Sequence, residues 1–214
     1  MPEAKGPNDL VTDAYQIESE AGMVAFYQKW ATDYDRVMLG ELGYESPIRI
    51  ARQLREHLPD TRSTILDIGC GTGLTCLFLA EQGYDNLDGI DISPDMVQVA
   101  GERGIYRELW VGDVNHPLER DDASYDGVIS SGTFTHGHVG PEPLKEIFRI
   151  LKPGGILACT VHQDLWESMH FAETFESLVE DGVAEQLDLT LDRYYKDAAP
   201  EGWFCVYRRS DQSG

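Results

Sequence analysis

The chain has 214 residues, 42% of them apolar and 26% charged, which is enough apolar material for one domain with its own core and argues against wholesale disorder. Lys and Arg number 17 against 38 Asp and Glu, a formal charge of −21; a surface of that sign repels polyphosphates and anionic headgroups, so neither nucleic acid nor membrane is expected as a partner. No apolar h-region opens the chain, no apolar run approaches the roughly 20 residues that span a bilayer, and Cys70, Cys76, Cys159 and Cys205 form no C-x-x-C pair, so a cytoplasmic protein with reduced thiols is expected.

Residues 1–18 are polar, with Pro2, Gly6 and Pro7, and read as a flexible tail. Met23, Tyr27, Trp30, Tyr34 and Met38 then recur at three or four residues, a helical stripe. A second helix opens with Ser46 as N-cap and Pro47 at the first helical position, and Ile50, Leu54 and Leu58 line one of its faces. Residues 19–60 thus form a helical cap or lid. From residue 64 the pattern changes. Strands are expected at 64–68, 87–91, 109–111, 127–130 and 156–161, with helices at 74–82, 94–104 and 142–151 between them; Lys152-Pro153-Gly154-Gly155 stops the last. A helix at about 164–179 and strands near 185–191 and 203–208 complete the chain. Strands alternating with helices predict βαβ units and a doubly wound, mostly parallel sheet within a single α/β domain, residues 19–214, whose core is 61–214.

The segment Ile65-Leu66-Asp67-Ile68-Gly69-Cys70-Gly71-Thr72-Gly73-Leu74 takes an apolar strand into three alternating glycines and then a helix. Such glycines permit a sharp turn and close approach of a ligand to the backbone, although a tight turn with no ligand has the same form. A nicotinamide or flavin loop needs G-x-G-x-x-G; counted from Gly69 the third position is Leu74, and from Gly71 it is Cys76. A Walker A loop needs a lysine that is absent. Asp91 ends the second strand, 22 residues after Gly69, where an open parallel sheet brings a carboxylate beside the glycine loop and within reach of both ribose hydroxyls. The third strand also ends in an acid, Asp113, suited to accept from an exocyclic adenine amine. Three strand-end carboxylates in series after this loop carry far more weight than any one of them.

Leu66-Asp67-Ile68-Gly69-Cys70-Gly71-Thr72-Gly73, Gly89-Ile90-Asp91-Ile92-Ser93-Pro94-Asp95-Met96, Gly112-Asp113-Val114 and Arg149-Ile150-Leu151-Lys152-Pro153-Gly154-Gly155 resemble, in order and spacing, the successive motifs of class I S-adenosylmethionine-dependent methyltransferases. Phe26-Tyr27-Gln28-Lys29-Trp30-Ala31-Thr32-Asp33-Tyr34-Asp35 is similar to the Williams–Beuren syndrome chromosome-region methyltransferase-like family within that superfamily. The resemblance implies a seven-stranded Rossmann-like sheet, S-adenosylmethionine as cofactor and S-adenosylhomocysteine as product. It implies that Asp67, Gly69, Cys70 and Gly71 surround the methionine portion, that Asp91 holds the ribose, and that Ile92 and Met96 pack on the adenine. Asp113 would accept from the adenine amine with Val114 beside the ring. Ser130 would close the methionine end, Tyr34 would reach the cofactor carboxylate, and Trp30 would seal the lid.

The acceptor wall is expected at Ser130-Ser131-Gly132-Thr133-Phe134-Thr135-His136-Gly137-His138-Val139-Gly140, where the chain leaves the fourth strand. His136 and His138 are candidate bases, with His138, farther along the loop, the better placed to reach the transferred methyl. A short H-x-H supplies too few ligands for a metal, and none is expected. The segment lacks the Asn/Asp-Pro-Pro-Tyr/Phe sequence associated with methylation of exocyclic base amines. Together with the charge, this leaves a small-molecule acceptor or a cationic protein side chain. A non-catalytic cofactor-binding module is the alternative reading.

Overall fold

The computed structural model describes residues 35–135, 139–196 and 201–211, the side chains of residues 37, 39 and 41 excepted. The expected tail and the stripe residues Met23, Tyr27, Trp30 and Tyr34 lie outside the described residues. Met38, the last of the stripe, is buried within a π-helical turn, Arg36–Glu41, rather than an α-helix.

Helix α1, Ser46–His57, has Pro47 in its first turn and turns Ile50, Ala51 and Leu54 inward. Ser46 is not its N-cap. Glu45 holds that position without a side-chain cap, and the N–H groups of Glu45 and Ser46 donate instead to the Tyr194 carbonyl, at 2.9 and 3.2 Å. With those donors satisfied from another segment, the Ser46 hydroxyl is released for a contact described below.

Then follow β1 (Ile65–Ile68), α2 (Leu74–Glu81), β2 (Leu87–Asp91), α3 (Pro94–Glu102), β3 (Glu108–Val111), β4 (Tyr125–Phe134), α4 (Pro143–Ile150), β5 (Leu151–His162), α5 (Gln163–Ser168), α6 (Phe171–Glu180), β6 (Ala184–Arg193) and β7 (Glu201–Arg209). They form a seven-stranded sheet in the order β3-β2-β1-β4-β5-β7-β6, parallel except where β7 lies antiparallel between β5 and β6. The alternation of side chains along β1 sends Ile65 to one face and Leu66 and Ile68 to the other. On the first face Ile65, Leu87 and Ile129 meet Ile50 and Leu54 of α1 and Cys76 and Leu79 of α2. On the second, Leu66, Val128 and Leu157 meet Leu144, Ile147 and Phe148 of α4 and Phe171 and Phe175 of α6. This is the doubly wound arrangement. The strand order reverses between β1 and β4, so the crevice at their carboxyl ends is where such a sheet receives a ligand.

Two further expectations differ from the structure. Strand β4 continues past Ser130 through a register shift, so that Phe134 pairs with Val161 and packs edge-on against Phe171 at 5.5 Å. Thr133 and Phe134 are strand rather than loop, because a bulge lets an apolar ring re-enter the core. The helix expected at 164–179 is broken at Met169 and His170, with His170 at φ 61, which turns Phe171 inward onto Phe134. Among the described residues no helix is long and apolar enough to cross a membrane.

Candidate functional site

At the carboxyl ends of β1 to β4 lies a cavity of about 240 Å³. Its floor is the glycine loop. Gly69, Gly71 and Gly73 have φ of 64°, 53° and 86°, a region that side-chain-bearing residues avoid. A Cβ on Gly69 would stand 2.0 Å from Thr133 Oγ1, so β4 can close on the loop only over a glycine. A Cβ on Gly71 would meet no atom of the described residues within 4 Å, and Gly71 lines the cavity: here the absent side chain leaves room for a ligand against the backbone. The loop is fixed from outside as well. Thr72 donates through Oγ1 to Asp35 at 2.6 Å, and Arg103 of the α3–β3 connector bonds both the Thr72 carbonyl and the Asp35 carboxylate.

Asp91 spans the mouth of the loop. Its Oδ2 accepts from the Gly71 N–H at 2.8 Å and its Oδ1 from the Ser93 N–H at 2.8 Å. A carboxylate has about four lone-pair positions, so these two bonds orient Asp91 and leave capacity for two hydroxyl groups. Burial pushes its carboxyl above the usual range, while the N–H groups of Ser93, Gly71 and Ile92 pull the other way. Ser93 also caps α3, accepting from the Met96 N–H at 3.4 Å. Asp113, on the next strand end, accepts at 2.9 Å from both the backbone and side-chain nitrogens of Asn115. Ile92, Met96 and Val114 supply an apolar wall between the two acids.

Of the residues expected at the cofactor, Gly69, Cys70, Gly71, Asp91, Ile92, Met96, Asp113 and Val114 all line this one cavity. Asp67 and Ser130 do not. Ser130 is buried and donates to the Ile68 carbonyl at 2.8 Å, holding β4 to β1. Asp67, 1% exposed, lies beneath the glycine loop, where its Oδ2 accepts from the Tyr106 hydroxyl at 2.9 Å. Burial pushes its carboxyl up to about 7, against the pull of that hydrogen bond. Trp30, Tyr34, His136 and His138 lie outside the described residues.

The other end of the cavity carries hydroxyl groups. Thr133 donates to the Ile68 carbonyl at 3.0 Å, and Ser131 Oγ lies 3.0 Å from Ser46 Oγ, the contact that α1 gains by not using Ser46 as a cap. Tyr44 lines the same end, its hydroxyl 3.5 Å from Ser131 and its ring 5.2 Å from that of Tyr195. Sequence reasoning missed Tyr44, Pro47, Leu74, Thr75 and Asn115 as lining residues. Asn115 carried a signal, since Asp-x-Asn after a strand is a turn that fixes the acid. Tyr44 and Pro47 carried none, because they reach the cavity only through the packing of α1.

The open cradle at Gly71 and the two strand-end carboxylates fit a nucleoside-bearing cofactor, and the comparisons specify which. The family model described as a methyltransferase domain matches residues 66–159. Human methyltransferase-like protein 27 is 30% identical over 183 residues, covering 84% of this chain and 72% of that protein. Human EEF1A lysine methyltransferase 2 is 29% identical over 178 residues, covering 72% and 75%. Among solved structures, the methyltransferase chain of a complex with the Haloferax volcanii Trm112 methyltransferase activator shares the fold, with a TM-score of 0.67 at 22% identity over 86% of this chain and 97% of that one. The methyl donor is S-adenosylmethionine and the product S-adenosylhomocysteine. With the sheet order, the glycine loop and the strand-end acids in one crevice, the chain belongs to the class I S-adenosylmethionine-dependent methyltransferases.

Proposed function

We propose that this cavity directs methyl transfer from S-adenosylmethionine to a small-molecule acceptor, which enters at the hydroxyl-lined end beside Tyr44. The observation that carries the reading is the Asp91 carboxylate, bonded to the Gly71 and Ser93 N–H groups beside a glycine whose missing side chain opens into the cavity. Asp91 holds the ribose hydroxyls. Ile92, Met96 and Val114 pack on the adenine and Asp113 accepts from its amine. Gly69, Cys70 and Gly71 surround the methionine portion from the loop, with Asp67 beneath it and Ser130 fixing the strand behind. To Tyr34 we assign contact with the cofactor carboxylate and to Trp30 the sealing of the lid.

When bound, the cofactor supplies a methyl group already activated by the sulfonium charge, with a neutral thioether as leaving group. The chain's contribution is therefore alignment and exclusion of water, a device able to supply roughly 7–11 kcal/mol. Tyr44, Ser131 and Thr135 orient the acceptor by hydrogen bonds, and His138 removes its proton where it arrives protonated, with His136 bracing the turn. The compact cavity and the formal charge of −21 support a small molecule over RNA. A relative named EEF1A lysine methyltransferase 2 makes protein the comparison that matters.

Incubation with methyl-labelled cofactor and separate small-molecule, protein and RNA fractions of an extract tests this. Label in the small-molecule fraction is the expected result. Label in the protein or RNA fraction overturns the acceptor class. Cofactor binding with no label in any fraction favours the non-catalytic binding module.

A further inference from the structure

Beneath the glycine loop is a polar group that the site's direct contacts do not use. Asp67 is the penultimate residue of β1 and does not line the cavity. One of its oxygens accepts from Tyr106, and the other, Oδ1, is buried with no oxygen or nitrogen donor among the described residues, which leaves only the weak Cys76 thiol to reach the carboxylate. A poorly matched oxygen in a packed interior is costly, and a charge on it more so. Tyr106 comes from the connector between α3 and β3 and is wedged tightly. A Cβ on Gly73 would come within 3.0 Å of its ring, and a Cβ on Gly89 within 3.0 Å of the opposite ring edge. Gly73 in the loop and Gly89 in β2 thus leave room for this phenol, Gly89 for the Leu109 side chain as well, 2.7 Å from where its Cβ would stand.

Among the described residues the groups facing Asp67 are few. They are the Tyr106 hydroxyl, the thiols of Cys70 in the loop and Cys76 in α2, and the Asp91 carboxylate across the loop. Burial pushes Tyr106 and both thiols well up, so they stay neutral and Tyr106 remains the donor. Arg103 reaches the same side of the loop, its Cδ 3.3 Å from where a Cβ on Gly73 would stand, but its guanidinium is taken by the Thr72 carbonyl and the Asp35 carboxylate. The negative charge of Asp67 is therefore poorly compensated when the cavity is empty, and it improves when a positive charge arrives above the loop, where low local polarity leaves the attraction weakly screened.

We propose that Tyr106 is a positioning residue whose hydroxyl holds the Asp67 carboxylate under the glycine loop, so that the loop favours the positively charged cofactor over its neutral demethylated product. The inference rests on the cofactor reading above and adds a charge preference to it. Loss of the sulfonium charge on methyl transfer then weakens the hold on the product, and binding of the cofactor draws a proton off Asp67.

Calorimetric titration with S-adenosylmethionine and S-adenosylhomocysteine between about pH 5.5 and 7.5 tests it, on the wild type and on Tyr106→Phe, which keeps the ring that fills the space over Gly73 and Gly89. In the wild type, affinity for the cofactor is expected to rise about tenfold across this range and affinity for the product less than about twofold. In Tyr106→Phe, cofactor binding at neutral pH is expected to weaken about three- to tenfold, with its pH dependence moved upward and product binding nearly unchanged. Equal weakening of both ligands, or parallel pH profiles for the two in the wild type, overturns the proposal and leaves Tyr106 as packing. Failure of the wild type to bind either ligand at any pH contradicts the cofactor reading instead, so the two failures are distinguishable. A carboxyl chemical shift of Asp67 that titrates unchanged on adding cofactor also overturns it.

Discussion

The two ends of the cavity are built by different means. At the cofactor end each strand-end acid accepts from a residue two positions on, Ser93 for Asp91 and Asn115 for Asp113, and the longer ties, Gly71 to Asp91 and Thr72 to Asp35, run to the glycine loop itself. At the acceptor end the contacts join distant segments: Ser46 meets Ser131 across 85 residues, Tyr44 meets Ser131 across 87, and Thr133 meets Ile68 across 65. Recognition of a common cofactor is thus a property of strand ends and turns. Recognition of the acceptor depends on how α1 and the end of β4 pack together.

The comparison breaks first at the proposed base. His138→Gln is expected to cut turnover by roughly 10²–10⁴ and to flatten the acidic limb of the rate–pH profile, with cofactor affinity unchanged. Steady-state rates beside calorimetry check this; unchanged turnover would leave positioning as the sole catalytic device. Next in size is a stability effect confined to the cofactor end. Burial pushes the Asp67 carboxyl up to about 7 from an ordinary 3.8, so the folded state holds the proton more tightly than the unfolded chain. The associated stability is full below about pH 4 and is lost as pH rises through about 7, up to about 4 kcal/mol. Asp67→Asn, which carries no charge to bury, is expected to flatten that fall, as denaturant midpoints measured across the window will show.

Asp91→Ala sharpens the contrast. It removes two hydrogen bonds to a charged acceptor, each worth roughly 1.5–3 kcal/mol, and is expected to weaken cofactor binding about a hundredfold or more. A calorimetric loss under about threefold would remove Asp91 from the ribose. Tyr44→Phe acts at the other end. The lost hydroxyl is expected to cost about two- to tenfold in acceptor KM, with cofactor affinity untouched. A parallel loss of cofactor affinity would show that the two ends are not separate. The smallest effect belongs to the tie between the N-terminal segment and the loop. Asp35→Asn leaves the Thr72 bond but removes the charge paired with Arg103, and about two- to fivefold weaker cofactor binding is expected, reduced further by salt.

The same division explains what the sequence disclosed. The parallel sheet was readable from the alternation of strands and helices, and the loop from its glycine spacing, because both are local patterns. The carboxylates at Asp91 and Asp113 followed from their place at successive strand ends. The bulge that carries β4 on to Phe134 was not readable, since it answers to the Phe171 ring brought in by the break at His170. Nor was Ser46 beside Ser131: an N-cap assignment assumes an otherwise unsatisfied helix end, and here Tyr194 satisfies it from far along the chain. Tyr106 left no trace either. Its place under the loop shows only in the narrow space above Gly73 and Gly89.

The most direct test of the central claim is a calorimetric titration of the wild-type chain with S-adenosylmethionine, S-adenosylhomocysteine and NAD in turn. The geometry of Gly71, Asp91 and Asp113 predicts saturable binding of both adenosyl ligands and no response to NAD. Binding of NAD with no response to either adenosyl ligand would contradict it.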